Sequence, residues 1–234
     1  MKGLSINYNR FIQIAGVHDL DEAQLILNCG VNYLGFPLRL PVHKEDLSEK
    51  DAAEIIKSLN PPSFGILITY LNQSIEIINL CKKLGTQIVQ LHGDIALNEL
   101  AKLKNDAPDI SIIKSLIVKN DNTQELRKIV NKLSPWVDAF ITDTYDSATG
   151  ASGATGKTHD WQISRQMVEL SPKPVILAGG LTPQNIKDAI LFVKPAGVDS
   201  HTGVEDSDGR KDEKLVTEFV LKAKSAFKEL MIEG

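Results

Sequence analysis

Asp143 closes the run AFITDT (139–144), which is otherwise apolar, and an unpaired carboxylate is expensive to bury in such a setting. Two readings fit: an internal salt bridge to Lys114 or Lys157, or acid–base work on a bound partner. The five histidines, His18, His43, His92, His159 and His201, all stand at the ends of short apolar runs or in the stretches that follow them. Imidazole exchanges protons near neutral pH, although any one of these rings can simply bond a backbone carbonyl. Glycine marks a third kind of chemistry. AGGL (178–181) brings Gly179 and Gly180 together, where bare backbone N–H groups can approach an anion. SHTGVED (200–206) adds Thr202 and Gly203 as further donors, so phosphate is the ligand group these loops suit. GATGKT (153–158) imitates the end of a nucleotide-phosphate loop, but that motif needs glycine where Ala151 stands, with Gly150 one place off. The segment 145–161 reads instead as a glycine-rich lid over substrate.

The elements that must position these groups follow a regular rhythm. Short β-rich runs occur at 11–16, 33–38, 64–69, 87–92, 111–116, 139–144, 174–179 and 197–202. Each is apolar along most of its length, as parallel strands covered by helices are. Helical stretches lie between them. Asp19 can cap one, with Glu22 completing a capping box, and Ser48 with Asp51 opens another. Thr182 ahead of Pro183 marks a further start, and Gly30 and Gly85 mark stops. Eight strands alternating with eight helices in 234 residues is the arithmetic of one (β/α)8 barrel, a single domain over 1–234. In that fold chemistry belongs to the C-terminal strand ends. Those positions hold Ala15 and His18, Arg39 and His43, Thr69 and Asn72, Gln90 and His92, Lys114, Asp143, the two glycines, and Asp199 with His201 and Thr202.

Composition narrows the function class. With 26 basic and 30 acidic side chains the net charge is −4, which gives no basic surface for nucleic acid. No apolar run approaches the roughly 18 residues of a membrane span, and the first residues lack a secretion signal, so a cytoplasmic protein is expected. Cys29 and Cys81 are too few for a disulfide framework and lack metal-ligand spacing; both are expected to be buried, unreactive thiols.

VQLHG (89–93), TDT followed by GATGKTHDW (153–161), LAGGLTPQNI (177–186) and GVDSHTGVED (197–206) together resemble phosphoribosylanthranilate isomerases, along nearly the whole chain from Phe11 onward. The resemblance implies a (β/α)8 enzyme that performs a cofactor-free Amadori rearrangement of an aminoaldose phosphate into an aminoketose phosphate. It implies that Asp143 is the general acid that opens the ribose ring. It further implies a phosphorylated sugar substrate held by Gly179, Gly180 and Asp199; beside these, Arg39, Gln90, His92, Lys114, Gly156, Thr202 and Gly203 are expected substrate or phosphate contacts. The chain departs from the family pattern at the base. The family opens with Lys-Ile-Cys-Gly, whereas this chain reads Gln13-Ile14-Ala15-Gly16, so the cysteine that takes the C2 proton is an alanine. The family arginine after strand two has Glu45 near its place and Arg39 several residues earlier, and Ser-Ser after strand eight has become His201-Thr202. A base is worth roughly 10²–10⁴-fold in rate, so a histidine, His18 or His201, is the expected replacement.

Three other readings stand beside this one. A different sugar-phosphate isomerase or epimerase would use His92, Asp143, Asp199 and His201 around a divalent cation. A non-catalytic barrel would keep only the phosphate grip. Lys114 as a Schiff-base nucleophile would make an aldolase. The isomerase reading itself requires neither metal nor cofactor, and the sequence leaves monomer and homodimer open.

Overall fold

The computed structural model describes residues 6–41, 45–119, 122–144 and 158–233. Its strands are β1 (Phe11–Ala15), β2 (Tyr33–Pro37), β3 (Phe64–Thr69), β4 (Ile88–Leu91), β5 (Ser111–Val118), β6 (Ala139–Thr144), β7 (Val175–Leu177) and β8 (Gly197–Ser200). All pair in parallel and in chain order, and β8 returns to β1 to close the barrel. The covering helices are α1 (Leu20–Asn28), α2 (Glu49–Ser58), α3 (Ser74–Leu84), α4 (Leu97–Asp106), α5 (Thr123–Leu133), α6 (Trp161–Leu170), α7 (Ile186–Val193) and α8 (Glu213–Glu233). The expected (β/α)8 barrel is therefore the fold.

Alternation along each strand splits the apolar residues into two layers. Phe11, Ala15, Ile66, Ile68, Ile88, Ile113, Ala139, Ile141, Ile176 and Ala178 fill the barrel interior. Their strand neighbours, among them Ile12, Leu34, Leu67, Val89, Ile112, Phe140 and Leu177, pack outward against the helices. No helix among the described residues is long and apolar enough to cross a membrane.

The helix signals hold with two amendments. Asp19 accepts the Glu22 N–H at 2.9 Å and Ser48 accepts the Asp51 N–H at 3.2 Å, as N-caps do. Gly85 ends α3 in the left-handed region at φ +81. The Glu22 carboxylate, however, accepts the N–H of His18 at 2.8 Å, one residue before the cap, instead of closing the capping box. The helix expected from Pro183 begins at Ile186. The Thr182 carbonyl accepts N–H groups of both Asn185 and Ile186, so the first turn is spent as a tight turn ahead of α7. Cys81 is fully buried, with its thiol pushed up to about 12 by desolvation. Cys29, expected to be buried as well, is only half-buried, because it caps α1 and receives the Thr217 hydroxyl at 3.3 Å.

Candidate active site

Alternation decides which side chains reach the mouth of the barrel. On β6, Ala139 and Ile141 point inward, and Asp143 continues that face two residues on, at the C-terminal end. Its residue is 6% exposed. Oδ1 accepts the Thr144 N–H at 2.7 Å, and Oδ2 lies 3.3 Å from His92 Nε2. Of the salt-bridge partners open in the sequence, Lys114 is not the one, since the described neighbour of the carboxylate is the His92 imidazole, and Lys157 lies outside the described residues.

His92 follows β4, and its N–H is fixed to the Thr69 carbonyl at 2.9 Å. Its Nδ1 faces the Ser115 hydroxyl at 2.8 Å and Gln90 Nε2 at 3.4 Å. Gln90 in turn accepts Gln13 Nε2 at 3.0 Å. Tyr70 stands edge-on to the imidazole, with ring centroids 5.3 Å apart. Asp199 on β8 lies one layer down; burial, reinforced by the charge of Asp143, pushes its carboxyl up to about 8 against the pull of Gln13 and Lys211.

His201 stands just past the end of β8. Gly16, the residue after Ala15, has φ +77, and a Cβ there would run into the His201 imidazole. Only glycine lets the ring lie on the end of β1, against the residue that follows Ala15. His201 Nε2 faces Glu205 Oε1 at 3.5 Å, and Glu205 is also bound by the buried Lys211 ammonium. His18 is engaged differently. Its Nδ1 lies 3.0 Å from Glu22 and its Nε2 3.8 Å from Asp46, so both nitrogens turn to carboxylates.

The glycine loops form a backbone cradle. Gly179, at φ +98, is packed so closely on Thr144 Oγ1 and the His159 ring that a side chain there would collide with both. Gly180 is held by Asn185 Nδ2, which donates to its carbonyl at 2.9 Å, and Asn185 Oδ1 accepts the Thr182 N–H at 2.9 Å. Thr202 and Gly203 form a 3-10 turn after β8, tied back where Ser200 Oγ donates to the Leu181 carbonyl at 2.8 Å. His159 bridges Thr144 Oγ1 at 2.9 Å and Ser164 Oγ at 2.5 Å, and burial holds its imidazole down to about 4.

Several expectations need correction. Lys114 does not reach the mouth. It shares the outward face of β5 with Ile112 and Leu116, and its ammonium donates to the carbonyls of Leu91 and Ser115 at 3.2 and 3.0 Å. Burial lowers it to about 8, and it lines a cavity of about 470 Å³ that Tyr70, His92 and Ser115 share with residues of α5. Its ammonium is held by those two carbonyls and does not join the Asp143–His92 pair. Arg39 is spent on α2: Nε donates to Glu49 at 2.8 Å, which raises the guanidinium still further. Glu45 accepts the Arg39 backbone N–H. No three His, Cys, Asp or Glu side chains among the described residues gather closely enough for a metal ion, so His92, Asp143, Asp199 and His201 do not form a cation site. His43, Gly156 and most of the expected lid lie outside the described residues.

Two residues were missed. Gln13 lies on the same inward face as Phe11 and Ala15, which a period-two reading of FIQIA would have revealed. Glu22, 3% exposed, joins His18, Arg210 Nε at 3.2 Å and the Lys211 N–H at 2.9 Å.

Comparison with known proteins adds the following. The family model described as N-(5'phosphoribosyl)anthranilate (PRA) isomerase matches residues 12–222. N-(5'-phosphoribosyl)anthranilate isomerase 2 of Methanosarcina mazei is 37% identical, with 92% of this chain and 95% of that protein covered. N-(5'-phosphoribosyl)anthranilate isomerase of Aquifex aeolicus is 33% identical, with 92% and 98% covered. The crystal structure of phosphoribosyl anthranilate isomerase from Thermotoga maritima superimposes with a TM-score of 0.78 at 26% identity, covering 92% of this chain and 99% of that one.

Proposed function

The chain belongs to the phosphoribosylanthranilate isomerase family, and from that membership we propose that it isomerises N-(5'-phosphoribosyl)anthranilate, or a close phosphoribosyl amine, from aldose to ketose, with Asp143 as general acid and His201 as general base. The observation that carries the proposal is the arrangement at the mouth: a fixed carboxyl on β6, and an imidazole laid on Gly16, the residue after Ala15 in the chain.

The steps follow from the bonds that must change. Asp143 gives a proton to the ribose ring oxygen while the nitrogen lone pair forms C1=N and the C1–O bond breaks. His201 then takes the proton from C2; the electron pair of that bond forms C1=C2 as the C1=N pair returns to nitrogen, leaving a neutral enolamine. Loss of the C2 hydroxyl proton and delivery of a proton to C1 complete the ketone. Hydrogen moves only within the substrate and these two groups, so the step needs no redox partner. The cradle of Gly179, Gly180, Thr202 and Gly203 is the place for the phosphate, at the end of β7 and β8 where barrels of this kind grip such groups. His159 supports the cradle from behind. Glu205 orients the His201 ring and stabilises its protonated form.

The test is to add phosphoribosylanthranilate to the purified protein and follow loss of anthranilate fluorescence. Turnover that falls roughly 10²–10⁴-fold in Asp143→Asn and in His201→Ala supports the assignment. No turnover at high enzyme concentration, with binding of a phosphosugar retained, overturns it in favour of a barrel that grips phosphate without catalysis.

A further inference from the structure

Two oxygen atoms in the floor of the mouth, Gln13 Oε1 and Asp199 Oδ1, are buried and lack any hydrogen-bond donor. They belong to one rung of the barrel seam: Gln13 on β1 pairs with Asp199 on β8, and the side chains are within hydrogen-bonding reach. Gln13 is wholly buried and Asp199 is 7% exposed, so both oxygens are shielded from bulk solvent. An unsatisfied buried acceptor costs about 1–3 kcal/mol, more if charged. One proton on the Asp199 carboxyl serves both oxygens at once.

That proton gives direction to everything beyond it. With Oε1 occupied, Gln13 presents Nε2–H to Gln90 Oε1 at 3.0 Å. Gln90 then presents Nε2–H toward His92 Nδ1 at 3.4 Å, alongside the Ser115 hydroxyl at 2.8 Å. A ring nitrogen that accepts cannot carry the hydrogen, so His92 carries it on Nε2, 3.3 Å from Asp143 Oδ2. We infer that Asp199 is a positioning residue for Asp143: a neutral acid that donates to Gln13 and thereby sets a chain of donors, running β8–β1–β4–β6, that ends with His92 presenting Nε2–H to the Asp143 carboxyl. The chain crosses the floor of the barrel and reaches the mouth at Asp143.

Ionisation of Asp199 reverses the chain. A carboxylate needs a donor, which Gln13 supplies by turning its amide; Gln13 then offers oxygen to Gln90, Gln90 turns in the same sense, and His92 must carry its hydrogen on Nδ1. The groups facing Asp199 are Gln13 on β1, Asp143 on β6 and Lys211 beyond β8. Burial is the largest cause and the charge of Asp143 adds to it, outweighing Lys211, so the neutral form persists to about pH 8. His92 is faced by Asp143, Ser115, Gln90 and the Tyr70 ring.

The inference concerns the free protein and stands apart from the identity of the substrate. Its test is nitrogen NMR of histidine-labelled full-length protein from pH 6 to 10. In the wild type, His92 is expected to show hydrogen on Nε2 at pH 6.5 and to shift toward Nδ1 with a midpoint at about 8. Asp199→Asn, whose amide donates to Gln13 as the neutral acid does, is expected to keep the Nε2–H signature throughout. Gln13→Met, which cuts the chain while filling the same space, is expected to uncouple His92 from Asp199. A wild-type tautomer that is Nδ1–H at pH 6.5, or that does not move by pH 10, overturns the inference. So does an Asp199→Asn or Gln13→Met protein that titrates like the parent. A negative isomerase assay leaves the NMR result untouched.

Discussion

His159 makes the fold sensitive to acid in a way that can be calculated. Its ring bridges the end of β6, through Thr144, to α6, through Ser164, and lies against the Gly179 turn. Burial lowers it from 6.5 to about 4, with Asp143 and Asp160 opposing weakly. Below 6.5 the unfolded chain takes up a proton at this ring while the folded protein does not until about 4. The unfolded state therefore binds more protons, and the stability His159 contributes is complete above 6.5 and lost as pH falls toward 4. One proton over one pH unit is worth about 1.4 kcal/mol, so between pH 7 and pH 5 the loss comes to about 2 kcal/mol once the curvature near 6.5 is included. Many carboxylates titrate over the same range, so the measurement is a double difference. Denaturant unfolding of the parent and of His159→Gln, each at pH 7 and pH 5, isolates the ring, because glutamine keeps hydrogen-bonding capacity without a basic nitrogen. The stability gap between the two proteins should shrink by about 2 kcal/mol on going to pH 5. An unchanged gap would refute the buried, neutral imidazole and the cradle support built on it.

Other sites give further expectations. Gly16→Ala imposes a left-handed backbone on a side chain, at about 1–2 kcal/mol, and pushes His201 off the end of β1. Turnover should fall much further than thermal stability does, and a variant with parental kcat would dissociate His201 from the chemistry. Asp199 carries the opposite pH signature from His159. Its carboxyl is raised from 3.8 to about 8, so the stability it contributes is full below 3.8 and fades as pH rises toward 8. Relative to Asp199→Asn, the parent should lose about 2 kcal/mol between pH 6 and pH 8 in urea titrations; parallel unfolding curves would contradict the raised value.

The barrel was legible because its signals are local and repeated. Each strand is a short apolar run, and the caps at Asp19, Ser48 and Gly85 are chosen by single side chains or by one backbone angle. Asp143 was legible because a carboxylate interrupts an apolar run. What alternation decides was harder to read. β5 is buried on both faces, so SIIKSLIV shows no polar-apolar period from which to learn that Lys114 points outward while Ser115 points in. Arg39 looked available because its partner, Glu49, comes ten residues later in a different element. Gln13 and Gln90 are distant in the chain and meet only across the closed barrel, and no local pattern encodes such a meeting. The start of α7 was misplaced because proline at 183 suits a tight turn as well as a first helical turn.

Glu22 carries a consequence for how the chain is made. Its carboxylate is 3% exposed and is served from one side by His18, four residues before it, and from the other by Arg210 and Lys211. Its bond to the Lys211 N–H spans 189 residues, which a ribosome adding roughly 5–20 residues per second needs about 10–40 s to deliver. Throughout that interval the first βα unit has only His18 to serve the Glu22 carboxylate, the Arg210 and Lys211 contacts being still unmade. The seam between the first and last strands can therefore close only when synthesis is nearly finished, and the carboxylate is fully satisfied only in the closed barrel.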